Sequence, residues 1–330
     1  MALSFTPSYV QGSGKNAKTL FVFGDSYADT GNHDPLDPAV KTSWSKPYGL
    51  TWPGHPSGRF SDGRVLTDFF AAHMGTETPI TYRVVQKQLK RHGSTGRVKA
   101  ACAWGINFAY GGSGVFPTFG SQFVTISGQI NQLRASLSEG LVSISNSSTA
   151  LLVVAGNDYT AYGLLHPKKE AGNIFIAKVV SGIVAALEVL HGLGFRRLAV
   201  SNLEPFGCFP AVTYLSNYTK CNKTENEESG FHNKLLASQI SKLKANLPDT
   251  DISVLDLERA FSLSLGGIFK HSRSQWKSCC KAKQNGGCGL VNAKGKPWYS
   301  VCSKPNKAFY WDTVHPTDSG WESVSKILFF

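Results

Sequence analysis

A serine follows the first strongly hydrophobic segment of the sequence, in Leu-Phe-Val-Phe-Gly-Asp-Ser at residues 20–26. Residues 20–23 are typical of a buried strand in a parallel sheet. The chain then turns at Gly24 and presents Asp25 and Ser26. Open α/β sheets bind ligands at the carboxyl ends of their strands, so Ser26 stands where a nucleophile would act. Its hydroxyl becomes a useful nucleophile only when a base removes the proton.

A base and an orienting acid for this serine lie near the C-terminus, in Asp-Thr-Val-His at residues 312–315. Asp312 and His315 are three positions apart, just before the last predicted helix, so both side chains can face the same way. Asp312 would then accept a hydrogen bond from one imidazole nitrogen while the other nitrogen points at Ser26. The spacing alone is a weak signal, because a histidine beside a proline is more often a structural turn residue.

Two further predicted strands end in residues that can stabilise an oxyanion. Gly112, in Ile-Asn-Phe-Ala-Tyr-Gly-Gly-Ser-Gly, offers a backbone N–H where glycine permits close approach. Asn157, in Val-Val-Ala-Gly-Asn-Asp-Tyr, offers a side-chain amide. The ordinary alternatives are a turn for the glycine and a helix cap for the asparagine. Their occurrence at successive strand ends together with Ser26 and His315 favours the catalytic interpretation.

Other polar and aromatic residues near these segments are interpreted mostly as structural. Asp25 and Asp29 are predicted to shape the turn after the first strand, Asn32 to hold the loop, and Asp158 to bind nearby backbone. Most of the neighbouring aromatic residues are expected to pack, and a few to line the substrate pocket. These aromatic residues are Trp44, Tyr48, Trp52, Phe60, Phe116 and Phe119.

Strand-like and helix-like segments alternate along the chain. Short apolar runs predict buried strands at 20–23, 106–109, 151–154, 198–202 and 252–255. Helical periodicity appears at 62–73, 174–193, about 226–246 and about 317–328. The alternation predicts an α/β fold with a parallel sheet. The segments 32–61 and 266–311 are predicted to be long ordered loops, of the kind that carries sites at strand ends.

The length and composition favour one large domain. No linker divides the 330 residues, and 42% apolar residues suffice for a packed core. We therefore predict a single domain at 20–330, preceded by an N-terminal segment 1–19 that is extended or foreign to the natural chain. No run of apolar residues approaches 18 positions, so we expect no transmembrane segment.

The positive charge is concentrated in two regions. The formal net charge is +12, and residues 78–138 and 260–311 contain no Asp or Glu. The ordinary interpretation is two solvated basic faces. The alternative is a basic rim beside a binding site that contacts an anionic polymer. No nucleic-acid motif accompanies the charge, so nucleic acid is not an expected partner.

The seven cysteines and the glycosylation sequons indicate an oxidising compartment. Cys102 stands alone and is predicted to be a buried thiol, Cys208 and Cys221 bracket a short loop, and the other four lie within 279–302. We favour disulfides over zinc because no C-x-x-C spacing occurs, and leave their pairing open. The candidate glycosylation sites are Asn146, Asn217 and Asn222, each weak alone.

The expected location is extracellular space or cell wall. Residues 1–18 have no apolar signal core, and we expect a signal peptide to have been removed. Secretion or residence in the secretory lumen agrees with the predicted disulfides and sequons.

The four chemical segments together resemble the plant GDSL-type esterases/lipases of the SGNH hydrolase superfamily. That family is named for Ser, Gly, Asn and His in four separated blocks, which are matched by Ser26, Gly112, Asn157 and His315. The similarity runs from about 20 to 328 and includes Pro-Tyr-Gly at 47–49, Ser-Gly-Arg-Phe-Ser-Asp-Gly-Arg at 57–64 and the C-terminal cysteine pattern. Tyr27 stands where the family name expects leucine, which we interpret as local variation in the pocket.

The resemblance implies a three-layer αβα sandwich like flavodoxin, with about five parallel strands. It implies a triad of Ser26, Asp312 and His315, and an oxyanion hole formed by the N–H groups of Ser26 and Gly112 and by the side chain of Asn157. The implied activity is carboxylic ester hydrolysis through an acyl-enzyme, without a metal or organic cofactor. The chain has no G-x-S-x-G segment, which argues against the α/β-hydrolase fold.

The substrate and the acyl acceptor are left open. The resemblance implies an ester substrate, since members of the family act on esters of lipids, acetylated polysaccharides and phenolics. The basic surface favours an acylated acidic wall polysaccharide. An acyltransferase that uses the same Ser26 acyl-enzyme is one alternative. A non-catalytic binder of anionic wall polymer is another, although the intact Ser26, Asp312 and His315 weigh against it. We expect a monomer.

Overall fold

The computed structural model describes residues 18–36, 42–154, 156–166, 172–267, 275–283 and 287–330. Most of the predicted N-terminal segment 1–19 therefore lies outside the described residues. The core is a parallel sheet of six strands in the order β2-β3-β1-β4-β5-β6. The strands are β1 Thr19–Gly24, β2 Ile80–Thr81, β3 Ile106–Asn107, β4 Ser148–Val153, β5 Arg197–Ser201 and β6 Asp251–Leu255.

Helices cover both faces of this sheet. They are α1 Leu66–Met74, α2 Tyr82–His92, α3 Gly96–Ala101, α4 Ile126–Ser138, α5 Gly156–Leu165, α6 Asn173–Gly192, α7 Pro210–Thr213, α8 Lys223–Asn246, α9 Leu257–Gly266 and α10 Asp318–Phe329. Side chains of β1 alternate between the faces: Leu20 and Val22 pack with α1, α9 and α10, and Phe21 and Phe23 pack with α4, α6 and α8. The chain is thus the αβα sandwich that the sequence predicted.

The structure contains one strand more in the main sheet than the sequence predicted. All five predicted strands form, and a sixth, β2, occupies one edge. Only two residues of β2 pair with β3, so it has no apolar run to identify it. The helix predicted at 62–73 begins at Leu66, after a stretch in which Asp62 and Arg64 bind the C-terminal part of the chain. Those contacts fix residues 61–64 in a non-helical conformation.

Helix α6 is long and apolar enough to cross a membrane by length and composition, the only such helix among the described residues. Its buried side chains, among them Ile176, Val180, Ile183 and Leu187, belong to the core on one face of the sheet. Packing against α4 and α8 accounts for the apolar side chains on its buried face.

Three disulfides fix the loops of the C-terminal half. Cys208 pairs with Cys221, and Cys279 and Cys280 pair with Cys302 and Cys288. The last two flank a small antiparallel sheet of β7 Cys280–Ala282 and β8 Tyr299–Val301. Cys102 is a free, buried thiol, and burial raises its pKa to about 11. The preference for disulfides over zinc is confirmed.

Candidate active site

Ser26 and His315 come from opposite ends of the chain and meet at the carboxyl end of β1. The Nε2 atom of His315 lies 2.8 Å from Oγ of Ser26. The Nδ1 atom of His315 lies 2.8 Å from both carboxylate oxygens of Asp312. With the proton on Nδ1 held by Asp312, Nε2 is free to accept the proton of Ser26. The arrangement can therefore generate a serine nucleophile.

Asp312 stays ionised although it is buried. Burial raises its pKa, but the charge and hydrogen bond of His315 and the N–H groups of Val314 and His315 outweigh that effect and lower the pKa overall. The hydroxyl of Tyr48 donates a further hydrogen bond of 2.8 Å to Oδ2. Tyr48 belongs to the Pro-Tyr-Gly segment at 47–49, so this segment orients the acid of the site. The sequence indicated the segment but not this contact.

The segment that carries His315 is anchored by the 57–64 block. Arg64 donates from its side chain to both carboxylate oxygens of Asp318, at 2.9 and 2.8 Å. The N–H of Asp318 donates to Oδ1 of Asp62 at 2.8 Å. Asp318 is the first residue of α10, three positions after His315, and Thr317 caps that helix. These bonds fix the helix start and so the position of the imidazole.

Gly112 and Asn157 line the same pocket as Ser26 and His315. Gly112 has φ +86°, and a Cβ there would lie 2.4 Å from the ring of Phe123, so only glycine fits. Asn157 donates one amide hydrogen to the carbonyl of Ser113 at 2.9 Å, which leaves its second hydrogen for a ligand.

The backbone N–H groups of Ser26 and Gly112 are also available to a ligand. In the described part of the chain, neither group donates to a protein acceptor. With the Asn157 amide, three donors can therefore converge on an oxyanion.

Gln129 of α4 ties the end of β1 to the segment around Gly112. Its Oε1 accepts from the N–H of Gly24, and its Nε2 donates to the carbonyl of Gly24, both at 2.8 Å. Nε2 also lies 3.0 Å from Oγ of Ser113. A Cβ at Gly24 would lie 2.1 Å from the carbonyl oxygen of Val153, so glycine is required where β1 meets β4. Sequence reasoning missed Gln129, because a single glutamine in an amphipathic helix carries no motif.

Three polar residues that were interpreted as structural bind backbone groups. Asp29 accepts from the N–H of Gly111 at 2.9 Å, and Asn32 donates to the carbonyl of Ala109 at 2.7 Å. Asp158 accepts from two backbone N–H groups within 115–116. All three therefore hold the segment 109–116, which contains Gly112.

Two buried carboxyl groups line the pocket without a role in this hydrogen-bonded chain. Burial raises the pKa of Asp25 to about 7, against the opposing hydrogen bond from the N–H of Tyr27. Burial also raises the pKa of Glu204, which follows β5, to about 7. No sequence pattern selected Glu204, because it lies outside the four blocks.

Tyr27 lines the pocket and also contacts the loop that carries His315. Its hydroxyl donates to the carbonyl of Val314 at 2.9 Å, directly before His315. Its ring packs edge-on against Trp321 of α10, with centroids 4.9 Å apart. Tyr27 therefore braces the loop that carries the imidazole.

The sequons and the first basic region lie on the surface. Asn146, Asn217 and Asn222 are exposed, and Asn222 also caps α8 by accepting from the N–H of Thr224. Between α2 and α3 lies a second pocket of about 340 Å³, lined by basic residues. They are Arg83, Lys87, Arg91, His92 and Arg97. Part of the second basic region, 268–274 and 284–286, lies outside the described residues.

Comparison with known proteins gives similarity over nearly the whole chain. The family described as "GDSL-like Lipase/Acylhydrolase" matches residues 20–328. GDSL esterase/lipase At5g03610 of Arabidopsis thaliana is 39% identical, over 94% of this chain and 85% of that protein. GDSL esterase/lipase At3g09930 of the same plant is 36% identical, over 94% and 86%. Acetylajmalan esterase 2 of Rauvolfia serpentina is 28% identical, over 94% and 89%.

Proposed function

Because the chain belongs to the GDSL-like lipase/acylhydrolase family and is a carboxylic ester hydrolase, we propose that Ser26, His315 and Asp312 form its catalytic triad. The observation that carries the proposal is the unbroken hydrogen-bonded chain from Asp312 through His315 to Ser26, with 2.8 Å at each step. A serine-reactive fluorophosphonate tests it: labelling should occur at Ser26 and disappear in His315→Ala.

In the first half of the proposed cycle, His315 activates the serine. Nε2 takes the proton from Oγ of Ser26 while Oγ bonds to the ester carbonyl carbon, and the carbonyl electrons move to oxygen. Asp312 stabilises the imidazolium without taking its proton. The oxyanion accepts hydrogen bonds from the N–H groups of Ser26 and Gly112 and from the Asn157 amide.

The tetrahedral intermediate then collapses and the acyl-enzyme is hydrolysed. The bond between the carbonyl carbon and the alcohol oxygen breaks, and the leaving oxygen takes the proton from Nε2. Water next gives a proton to Nε2 and bonds to the acyl carbon. When the bond to Oγ breaks, Ser26 regains the proton and a carboxylic acid leaves. Each proton in the cycle is carried by His315, Ser26, substrate or water.

For the substrate we propose acyl or acetyl esters, including acetylated wall polysaccharide and lipid or phenolic esters. The pocket of about 850 Å³ has room for groups much larger than acetyl. An acetyl ester substrate agrees with the name of the Rauvolfia esterase. A series of p-nitrophenyl esters of increasing acyl length, run beside acetylated xylan and pectin, tests the range. The predicted outcome is turnover beyond the acetate, and activity confined to acetate would contradict the use of the large pocket.

The basic pocket between α2 and α3 supports an anionic polymer contact. No Asp or Glu occurs from residue 78 to 138, so the cations there have no acid on their own segment. We propose that Arg91 and Arg97 hold an acidic polymer outside the reaction pocket. Retention on pectin should fall with salt and in R91Q/R97Q, while hydrolysis of a neutral short ester is unchanged. Equal retention of the variant would contradict it.

The alternative acceptor and the alternative class are tested with the same enzyme. Formation of an alkyl ester in the presence of a primary alcohol, in preference to free acid, would favour an acyltransferase. Absence of fluorophosphonate labelling in folded protein would favour a non-catalytic polymer binder. The intact Ser26–His315–Asp312 chain supports the hydrolase over the binder.

We propose a secreted protein, as the three disulfides and the three exposed sequons suggest. Such disulfides persist in oxidising compartments. Expression with a signal peptide in plant cells, followed by N-glycosidase treatment, should give a secreted protein whose mass falls on treatment. Asn146→Gln, Asn217→Gln and Asn222→Gln assign the sites, and a protein without glycan at all three would contradict this part.

A further inference from the structure

The pocket around Ser26 is acidic although the protein is basic. Among the described residues that line it, four carry carboxyl groups and none is Lys or Arg. The whole chain has 34 Lys and Arg against 22 Asp and Glu. The acids are Asp25, Glu204, Glu225 and Glu228. The charge of the pocket is thus opposite to the charge of the protein.

Ester hydrolysis by the proposed triad does not need these acids. A carboxylate near Ser26 opposes the negative charge that develops on the substrate carbonyl oxygen. Glu204 is only 6% exposed and Asp25 7%, so each ionises at a cost. In the described part of the chain, neither they nor Glu225 form an ion pair with Lys or Arg. A positively charged ligand would remove this cost.

Aromatic rings line the same pocket as the acids. Tyr159 and Phe206 have ring centroids 5.9 Å apart, and Phe206 and Phe209 have centroids 5.5 Å apart. The hydroxyl of Tyr159 lies 2.7 Å from Nδ1 of His232, which fixes the ring. All three rings line the pocket. Aromatic faces together with carboxylates are the surroundings in which quaternary ammonium groups bind.

Contacts place Glu204 on the His315 side of the nucleophile. Burial raises the pKa of the Tyr27 hydroxyl, and the Glu204 carboxyl lies close enough to this hydroxyl to raise that pKa further. The same hydroxyl lies 2.9 Å from the carbonyl oxygen of Val314, which directly precedes His315. In the proposed cycle His315 gives its proton to the leaving alcohol, so the alcohol part of the substrate lies on this side.

We infer that the enzyme prefers esters of amino alcohols, with the positively charged nitrogen of the alcohol part bound by Glu204 and by the rings of Tyr159, Phe206 and Phe209. Glu225 and Glu228 of α8 add negative charge to the same pocket. This inference deepens the proposed function and rests on it, because it needs the ester to be cleaved at Ser26.

A matched pair of acetates tests the inference. Acetylcholine and 3,3-dimethylbutyl acetate have the same shape and differ in the charge of one atom. The expected kcat/KM is at least about tenfold higher for acetylcholine, through a lower KM, since each tenfold corresponds to about 1.4 kcal/mol of binding. Tetramethylammonium should also inhibit hydrolysis of the neutral ester competitively. The same comparison of a charged and a neutral acetate is repeated with three and with four carbons between the ester oxygen and the nitrogen, or the carbon that replaces it. These longer esters test a cation site that lies farther from Ser26.

Variants connect the preference with the acids. Glu204→Gln keeps the shape of the side chain and removes its charge, and should bring the ratio of the two kcat/KM values close to one. E225Q/E228Q should lower the ratio several-fold if the outer acids contribute as inferred. Glu227→Gln is the matched control, because Glu227 lies on the same helix, is exposed and pairs with Lys223. It should leave the ratio unchanged.

The outcomes separate this inference from the proposed triad. Equal kcat/KM for the charged and neutral esters at every spacing overturns the inference, whether or not a variant folds. An unchanged ratio in both Glu204→Gln and E225Q/E228Q also overturns it. If p-nitrophenyl acetate is not hydrolysed, or if Ser26→Ala hydrolyses it equally well, the proposed function fails instead.

Discussion

His315 and Ser26 are 289 positions apart in the chain, yet Nε2 and Oγ are separated by 2.8 Å. The sheet order explains the meeting. β1 lies in the middle of the sheet between β3 and β4, so Ser26 follows a central strand with the loops after both neighbours around it. Helix α10 packs against α1 and α9 on one face and brings the preceding loop over the same edge.

Removal of the nucleophile should abolish turnover. In Ser26→Ala, Nε2 of His315 has no hydroxyl to deprotonate, so kcat/KM for p-nitrophenyl acetate should fall at least about 10³-fold, as triad deletions do. Ser143→Ala, at an exposed position outside the lining of the pocket, is a processing control, and circular dichroism checks the fold. Residual activity near the wild-type value would exclude Ser26 as the nucleophile.

Asp312 and Tyr48 should contribute unequally. Asp312→Asn no longer holds the proton on Nδ1, and kcat should fall about 10³–10⁴-fold. Tyr48→Phe removes one hydrogen bond to a charged acceptor, of about 1.5–3 kcal/mol, and should lower kcat about tenfold. Steady-state kinetics on a p-nitrophenyl ester measure both. A Tyr48→Phe loss as large as that of Asp312→Asn would mean that Tyr48 contacts the reacting atoms.

The sequence predicted the proposed catalytic residues better than it predicted the residues that hold them in place. Ser26 was visible because it follows a predicted strand and a glycine, and His315 because it stands three positions after Asp312 and just before the last predicted helix. Tyr48 and Gln129 were not identified as supports, because their contacts cross from one distant segment to another and leave no local pattern. Glu204 was missed for a similar reason: it lines one pocket with Ser26 and His315 only in the folded chain. Periodicity predicts elements, whereas such contacts follow only from the completed packing.

Gln129 should hold the oxyanion segment in place. Gln129→Leu leaves the N–H and carbonyl of Gly24 and the hydroxyl of Ser113 without this partner. Each unsatisfied buried group costs about 1–3 kcal/mol, so we expect a loss of about 2–4 kcal/mol in the free energy of unfolding. The kcat should also fall while KM changes little, since the donors near Gly112 lose their alignment.

Urea denaturation and kinetics on one ester measure both effects of Gln129→Leu. Gln132→Leu, one turn further along α4, is the control and should change either quantity much less. Unchanged stability and kcat in Gln129→Leu would show that Gly24 and Ser113 are held by other contacts.

We expect no cysteine thiol to react with a thiol reagent until the protein unfolds. All six other cysteines are paired, and Cys102 is buried with a raised pKa. Ellman's reagent should therefore detect no thiol in native protein, one in denaturant, and seven after reduction. C208S/C221S should lose about 3 kcal/mol of stability, for a 13-residue separation. A fast-reacting thiol in native protein would contradict the buried position of Cys102.

Glu204 should make the protein less stable as the pH rises. Its folded pKa is about 7, raised by burial from an ordinary value of 4.5, so the folded state binds the proton more tightly than the unfolded state. Between these values the folded protein retains a proton that the unfolded chain has released, and the free energy of unfolding falls as pH increases. The loss is nearly complete about one pH unit above the folded pKa and amounts to about 3 kcal/mol, since a pKa rise from 4.5 to about 7 carries about 1.4 kcal/mol for each pH unit. Glu204→Gln lacks this titration and also removes a negative charge that raises the pKa of Asp25, so the variant loses pH dependence on both counts. Urea denaturation at pH 5 and pH 8 should therefore show the variant gaining stability relative to wild type at the higher pH, and parallel pH profiles would mean that Glu204 ionises without cost.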